Sequence, residues 1–467
     1  MESVADTGAS TGGAEGGTRG PSGSTTGNAV SDASTGTSSS TGGEGSSGST
    51  GTGSADGSDS DSTGEAPSNA FECEWQDAEI IPSSDATTFI HGLQFDGNGQ
   101  ATLLTVDPSE DSMSAHARRF DGVAWSPEVE IASVQGPSAG PWMTFGSSGV
   151  GAFAWSDGSS AVGRVFTPPG WGAALPIDVD ATGDTEFGVH VAVDALGNAA
   201  AVWTSGVPQV ETEINLARLP AGEAQWSEPI QLNVDFVTQA GGRIATGGDH
   251  MMFVVWDESA EINARTYDSD AGTLGEQVMI SPGLQSQLAA DLQGNAIVVR
   301  RSGGTMYSYR HDGATQSWGA AQVATDAYAP GGTTRTVMMP GGNPLIVLGT
   351  PTEGQDSSAS VLEYDAAKGE WAAPIVLDDE DHAFAFDIAF NAHGHAVAIW
   401  RSGDNLRSAC RDADAGEWGP VVDVDTQGLL TFGNGVALSD DNHAIISFTS
   451  APAEGAPNPE AWVVHSH

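Results

Sequence analysis

A phrase of about 49 residues recurs eight times between Trp75 and the C-terminus, and a chain written this way folds as a series of like units, each packed on its neighbours. The phrase is an apolar strand, an Asp-x-x-Gly-Asn turn, a second apolar strand ending on a large residue, a polar hairpin, a strand carrying Arg, a short turn, and a Trp that opens a last strand. The second strand is expected to end at Thr105, Trp155, Trp203, Trp256, Arg300, Leu348, Trp400 and Phe448, in steps of 50, 48, 53, 44, 48, 52 and 48 residues. The last strand is expected to open at Trp75, Trp125, Trp171, Trp226, Leu274, Trp318, Trp371 and Trp418.

Period-2 alternation gives the strand order within a unit. In the third repeat, 187–194 reads as strand a, 199–203 as strand b, 213–219 as strand c and 226–232 as strand d, with ALGN as the tight turn between a and b. There, Asp bonds back to the backbone and Gly supplies the positive φ that closes the hairpin. Four antiparallel strands repeated eight times predict an all-β fold, a single eight-bladed β-propeller over residues 71–467. The final repeat supplies a, b and c and then stops, whereas 75–81 (WQDAEII) matches a strand d and precedes the first strand a. That segment is expected to complete the eighth blade and close the ring, removing two sheet edges.

Composition sets residues 1–70 apart. They are almost wholly Gly, Ser, Thr, Ala, Asp and Glu, too poor in apolar side chains to offset chain entropy, and read as a disordered acidic linker. Of the formal charge of −47, this stretch carries nine acids and one Arg, so −39 belongs to the remainder. Such a surface repels phosphate backbones and argues against nucleic acid. No apolar run of 18 residues is present and MESVADTGAS has neither a basic nor an apolar leader region, so neither a transmembrane segment nor a signal peptide is visible. A long Ser/Thr/Gly tether ahead of an acidic domain is similar to the spacer of bacterial surface lipoproteins. The expected location is extracellular or on the outer cell surface, as a monomer.

Cys73 precedes the first Trp strand and Cys410 lies in the strand c of the seventh repeat, segments that ring closure brings into adjacent blades. The sequence leaves open whether they form a disulfide or two buried thiols.

The segments VAVDALGNAAAVW, AADLQGNAIVVR and IAFNAHGHAVAIW resemble the D-x-x-G-N phrase of bacterial propeller repeats of the NHL class, through Asp194, Asp291 and, in the first repeat, Asp96. The Trp-started strand d resembles that of sugar-binding propeller lectins and sialidase-like domains, although the sialidase Asp-box is not found. These resemblances imply repeat style and fold; propellers of this kind serve enzymes, lectins and scaffolds alike.

Arg118, Arg164, Arg218, Arg265, Arg310 and Arg411 occupy roughly one place in strand c, once per blade, and are expected to pack structurally with their heads on neighbouring acids. Eleven of the 13 Trp fall at strand-b ends or strand-d starts, where they fill the wedge between blades. One position behaves otherwise. Four residues before each a-to-b turn stand Gly92, Trp142, His190, Arg243, Gln287, Arg335, Asp387 and Gly435, at the start of the innermost strand. An aromatic ring, a His, two Arg, a Gln and an Asp converging on the channel mouth have the character of a small-ligand site. Arg300, Arg301 and Arg401, at or just after strand b, are expected on the same face. In so acidic a protein, cations gathered there would attract a small anionic or carboxylated ligand.

Elsewhere the chemistry is sparse. His393, His395 and His443, near Asp440 and Asp441, offer weak metal ligands in turns, and DDEDH at 378–382 offers oxygen ligands for Ca²⁺; no other cofactor is implied. No G-x-S-x-G, Walker loop or H-E-x-x-H occurs, and the five tyrosines give no nucleophile for a sialidase-like glycoside hydrolase, so no catalytic residues are named. The reading is a non-enzymatic surface propeller binding a small anionic ligand or a surface protein at the channel face. The alternative is a lectin that takes a glycan between blades.

Overall fold

The computed structural model describes residues 71–467 apart from 84–87, 109–111, 136–141, 158–159, 179–186, 208–210, 234–240, 259–260, 283–286, 303, 329–333, 352–356, 381, 428–429, 452–458 and 467. The linker expected at 1–70 lies outside the described residues. Within them there is no helix, and the strands form eight antiparallel sheets, the blades of an eight-bladed β-propeller. In blade 3 the order is Phe187–Val193 (a), Ala199–Val207 (b), Glu211–Leu219 (c) and Ile230–Gln231 (d).

Strand b is buried on both faces, which explains its near-continuous apolar sequence. Ala199, Ala201 and Trp203 pack toward blade 2, while Ala200 and Val202 pack toward blade 4. The buried apolar side chains of the described residues accordingly form eight layers, one in each gap between neighbouring blades. Each strand-d Trp reaches back into the gap before its own blade. Trp171 joins the layer between blades 1 and 2, Trp318 that between blades 4 and 5, and Trp418 that between blades 6 and 7. Blade 4 uses Leu274 in the same way. The fit is close: a Cβ added at Gly163 of blade 2 would sit 2.7 Å from Cζ2 of Trp226 in blade 3.

The a-to-b turns close as their sequence predicts. Asp194 Oδ1 accepts from the amides of Leu196 (2.9 Å) and Asn198 (2.8 Å), and Gly197 takes φ 86°. Asn198 then ties this turn to the c-to-d turn by accepting from the Ala221 amide at 2.9 Å. The c-to-d turns have their own recurrent Asp. Asp312 Oδ1 accepts from the amides of Ala314 and Thr315 (2.8 and 2.9 Å), and these N–H groups hold its carboxyl below the usual range.

Three local expectations are corrected. Strand b continues past the predicted ends, for instance to Val207 rather than Trp203, because pairing with strand c persists into the hairpin, through Val207 and Glu211. Strand d is not one run from the Trp. Trp318 pairs only with the end of strand c, in Ser317–Trp318, and the chain re-enters the sheet at Gln322–Thr325. Pro lacks the amide a ladder needs and often falls in this interruption, as at Pro127, Pro229, Pro374 and Pro420. The strand-c arginines divide: Arg118 and Arg411 meet acids as expected, Arg118 reaching Glu128 at 3.0 Å, whereas Arg164, Arg218 and Arg310 cap backbone carbonyls of a neighbouring blade. Arg164 Nη1 donates to the carbonyls of Glu130 (3.0 Å) and Ile131 (3.1 Å), and Arg310 Nη2 to that of Gly342 (2.7 Å), while Arg411 does meet an acid, Glu363, at 2.9 Å.

The N-terminal segment closes the ring. Glu79 and Ile80 pair antiparallel with Val463 and Trp462 of the last strand c. Upstream of this pairing the segment crosses to blade 7. There the Phe71 amide donates to Asp412 (2.8 Å), Trp75 Nε1 donates to Ser408 Oγ (2.8 Å), and Cys73 forms a disulfide with Cys410, with Cα atoms 5.4 Å apart. The gap between blades 8 and 1 holds two stacked imidazoles. His443 Nε2 and His465 Nδ1 are 3.2 Å apart, His465 Nε2 lies 3.4 Å from Glu79 Oε1, and the His465 ring packs on Phe120 at 4.6 Å.

The disulfide spans 337 residues, so the chain-entropy relation assigns it about 6 kcal/mol. Cys73→Ser is expected to lower the urea midpoint clearly, whereas reductant should leave the midpoint of that variant unchanged. Burial holds the pKa of both His443 and His465 below the ordinary value; Asp441 opposes this at His443, and the charge of His443 reinforces it at His465 against Glu79. Both imidazoles therefore protonate more readily in the unfolded chain. Their contribution is complete above pH about 6.5 and is lost as the pH falls from there toward the lower folded values. A His443→Asn/His465→Asn variant should lose less stability between pH 7.5 and 5 than the wild type in urea titrations; an equal loss would remove this pair from the account.

Candidate functional site

Strand a is the inner edge of each blade. Its far side faces the propeller axis and presents backbone groups that no strand pairs. The channel so formed is a cavity of about 1010 Å³, running from the first residues of these strands, including His91, Trp142, Arg335, Asp387 and Asn434, to the a-to-b turns at Ser147, Leu292, Pro340 and Asp440.

Side chains of adjacent blades cover some of the exposed edge groups. The Phe145 amide donates to Gln94 Oε1 (3.1 Å), and Thr246 Oγ1 donates to the Val193 carbonyl (2.8 Å). Gln287 Nε2 donates to the Thr334 carbonyl and accepts, through Oε1, from Thr336 Oγ1, each at 2.9 Å. Asp387 Oδ2 accepts from the Val436 amide (3.0 Å), and Asn434 Nδ2 returns a bond to the Ala385 carbonyl (2.7 Å). Each contact joins two blades at the innermost strand.

The equivalent positions thus divide by role. Gly92, Trp142, Arg335, Asp387 and Gly435 line the cavity, whereas His190, Arg243 and Gln287 lie outside its lining. Gln287 and Asp387 are occupied as inter-blade ties. Arg243 Nη1 donates to His190 Nε2 at 2.8 Å. Since guanidinium has no acceptor, that contact assigns the imidazole hydrogen to Nδ1. Burial, then the charge of Arg243, lowers the His190 pKa to about 3, so the ring is neutral across the physiological range. The Arg243 pKa is itself lowered by burial, with Asp257 opposing and the charge of Arg335 adding to the shift, which places Arg335 within electrostatic reach. Trp142 meets the His190 ring edge-on at 4.4 Å and remains 38% exposed. Arg335 is tied to Asp387 only through Nε, at 3.1 Å, with 52% of its side chain exposed.

Among the lining residues not anticipated are the polar His91, Gln94 and Asn434. The strand-a register shifts between Ile90 and Gly92, Phe187 and His190, Phe384 and Asp387, and Phe432 and Gly435, so four blades carry a bulge just before the counted position. An inserted residue re-aims its neighbours, and counting at fixed spacing steps over it. The only trace in sequence is an unmatched polar residue, such as His91, at the start of the strand.

Arg300, Arg301 and Arg401 are not brought to the cavity wall. Arg300 stacks over Tyr307 at 4.9 Å, Arg301 donates to the Tyr328 hydroxyl, and Arg401 lies over Phe384 at 4.7 Å while donating to the Gly403 carbonyl. Of the turn histidines, His395 Nδ1 accepts from the Ala413 amide at 3.1 Å, and His443 meets His465. From the acidic segment, Asp378 and Glu380 both bind Arg407 Nη1 (2.9 and 2.8 Å), and Asp381 lies outside the described residues. No group of three or more His, Cys, Asp or Glu arranged for a metal ion occurs among the described residues, and no helix there is long and apolar enough to cross a membrane. A second hollow, of about 240 Å³ between blades 6 and 7, is lined by Asn343, Glu363, Tyr364 and Arg411.

No protein-family model matches the chain, and no curated protein matches it in sequence. Solved structures do share its architecture. The WD40 domain of SCAP from fission yeast aligns with TM-score 0.51 at 8% identity, over 84% of this chain and 94% of that one. The Dos1 propeller aligns with TM-score 0.50 at 8% identity over the same shares. A protein of unknown function from Dyadobacter fermentans is covered over 99% of its length at 11% identity, with TM-score 0.42. At these identities the likeness is one of fold alone.

Asp387→Ala would leave the Val436 amide and Arg335 without their acceptor. The Arg335 pair is half exposed and contributes little, so the amide carries most of an expected loss of about 1–3 kcal/mol in urea denaturation. Asp387→Asn retains an acceptor oxygen and should lose less.

Proposed function

We propose that this propeller binds a small carboxylate-bearing ligand at the channel mouth, without turning it over. The observation that carries the reading is an imbalance between donors and acceptors. Arg335 engages Asp387 through Nε and leaves its two terminal nitrogens open on the cavity wall. The acceptors are occupied: both Asp387 oxygens are engaged, and His190 Nε2 receives Arg243. Spare guanidinium donors in a cavity whose wall also carries the exposed Trp142 suit an oxyanion on a small organic body. A general base needs an available lone pair: both Asp387 oxygens are already engaged, and His190, with a pKa near 3, spends Nε2 on Arg243.

The setting supports the same reading. In a chain of 15 Lys and Arg against 62 Asp and Glu, an incompletely paired arginine at a channel mouth is a local reversal of field that attracts anions. The Cys73–Cys410 disulfide and the Gly/Ser/Thr-rich composition of residues 1–70 support a location outside the cytoplasm, as a tethered surface protein. A glycan is the second reading, favoured by the hollow between blades 6 and 7, where the buried Asn343 Oδ1 has no hydrogen-bond partner among the described residues.

Isothermal titration of the full chain with glucuronate, and with glucose as its neutral counterpart, tests the assignment. Glucuronate is expected to bind and glucose not to, Arg335→Ala should weaken binding roughly tenfold or more, and affinity should be flat from pH 5 to 8 because His190 stays neutral there. Equal binding of the two sugars, or an unaffected Arg335→Ala variant, would overturn the channel-mouth reading; glucose binding that survives it would transfer the case to the inter-blade hollow.

A further inference from the structure

Toward the end of strand b each blade places one side chain into the gap before it. Blades 2, 3, 4 and 7 use Trp155, Trp203, Trp256 and Trp400, blades 6 and 8 use Leu348 and Phe448, and all six are no more than 5% exposed. Blade 1 has the buried Thr105. Blade 5 has Arg300, paired across the hairpin with Tyr307 just as Trp256 is paired with Asn263 and Trp400 with Arg407. An arginine therefore stands where the repeat calls for a core side chain. The layer it should fill, between blades 4 and 5, has the fewest buried apolar residues of the eight: Val255, Ile262, Ala264, Val298 and Tyr309.

No hydrogen bond or ion pair among the described residues compensates for the exchange. The guanidinium lies over the Tyr307 ring at 4.9 Å. Its Nε is buried without a hydrogen-bond partner, and no carboxylate is paired with it among the described residues. Arg407, by contrast, is closed by Asp378, Glu380 and Asp423. In a protein with four acids for every cation, an arginine left without an acid has avoided the commonest partner available. A residue that breaks the local rule of its repeat, costs packing and gains only an aromatic stack in return is the mark of a position held for binding.

We propose that Arg300 is the anchor of a second anion seat, in the gap between blades 4 and 5 on the face of the b-to-c hairpins, separate from the channel mouth. Backed by Tyr307, its planar fork receives the oxygens of a carboxylate or phosphate group on a ligand or partner. The stacked ring holds the guanidinium in one plane, which favours two-point contact over a simple point charge.

Two comparisons test this, using the full chain. In chloride, Arg300→Leu should melt above the wild type, because leucine completes the layer as Leu348 does in blade 6. In the Arg335→Ala background, which removes the channel-mouth donor, phosphate or acetate at matched ionic strength should raise the melting midpoint saturably. Adding Arg300→Leu should abolish that rise. A response to phosphate alone or to acetate alone supports the seat and names the source of the oxyanion. The proposal is overturned if neither anion shifts the Arg335→Ala protein, if the double variant shifts equally, or if Arg300→Leu melts below the wild type. Failure of the channel-mouth reading would show separately, in the glucuronate titrations.

Discussion

The apolar wedge between adjacent blades is the contact on which everything else in this propeller depends. No blade has a core of its own, since each strand b is buried only when a neighbour covers either face, as Ala201 and Val202 show by packing in opposite directions. Stability is then shared around a circle, and one unfilled gap leaves two blades half covered. Large side chains carry much of this. Trp203, Trp256 and Trp400 are fully buried, and truncation of such a residue typically costs 3–5 kcal/mol. The ring has to close for the last gap to exist, which is why a short N-terminal strand matters out of proportion to its length.

The architecture was legible because it rests on signals repeated many times over. The Asp-x-x-Gly turn, the double-faced strand b and the wedge Trp each recur in several blades, and their common spacing identifies the fold even where blade 6 replaces the turn Asp by Met339 and closes with Gly341 and Gly342 at φ 83° and 77°. The displaced strand-d start was not legible, because Trp is equally at home in the turn pairing and in the strand. Nor was the destination of the strand-c arginines: a guanidinium donates to a carbonyl as readily as to a carboxylate, and only the three-dimensional neighbour decides.

The channel mouth was legible in outline and not in detail. Counting back from the turns located Trp142, Arg335 and Asp387 on the cavity wall, but gave the same weight to Gln287, whose amide is consumed in joining blades 5 and 6. Polar residues at an inner strand edge have two uses, covering the bare backbone of the next blade or facing a ligand. Sequence alone does not separate them, whereas a ledger of used and unused donors does. His91 escaped because a bulge breaks the counting rule at the start of that strand.

The disulfide joins the entering chain to blade 7, not to blade 8 whose sheet that chain completes. A pull arriving from upstream of Cys73 therefore passes into Cys410 before it reaches Glu79 and Ile80. The hydrogen bonds that close the ring are shielded from peeling, and the load is spread into a blade held on both sides by its neighbours. Under force from that end, the two-residue closing strand is loaded only after the disulfide, or the blade that anchors it, has given way.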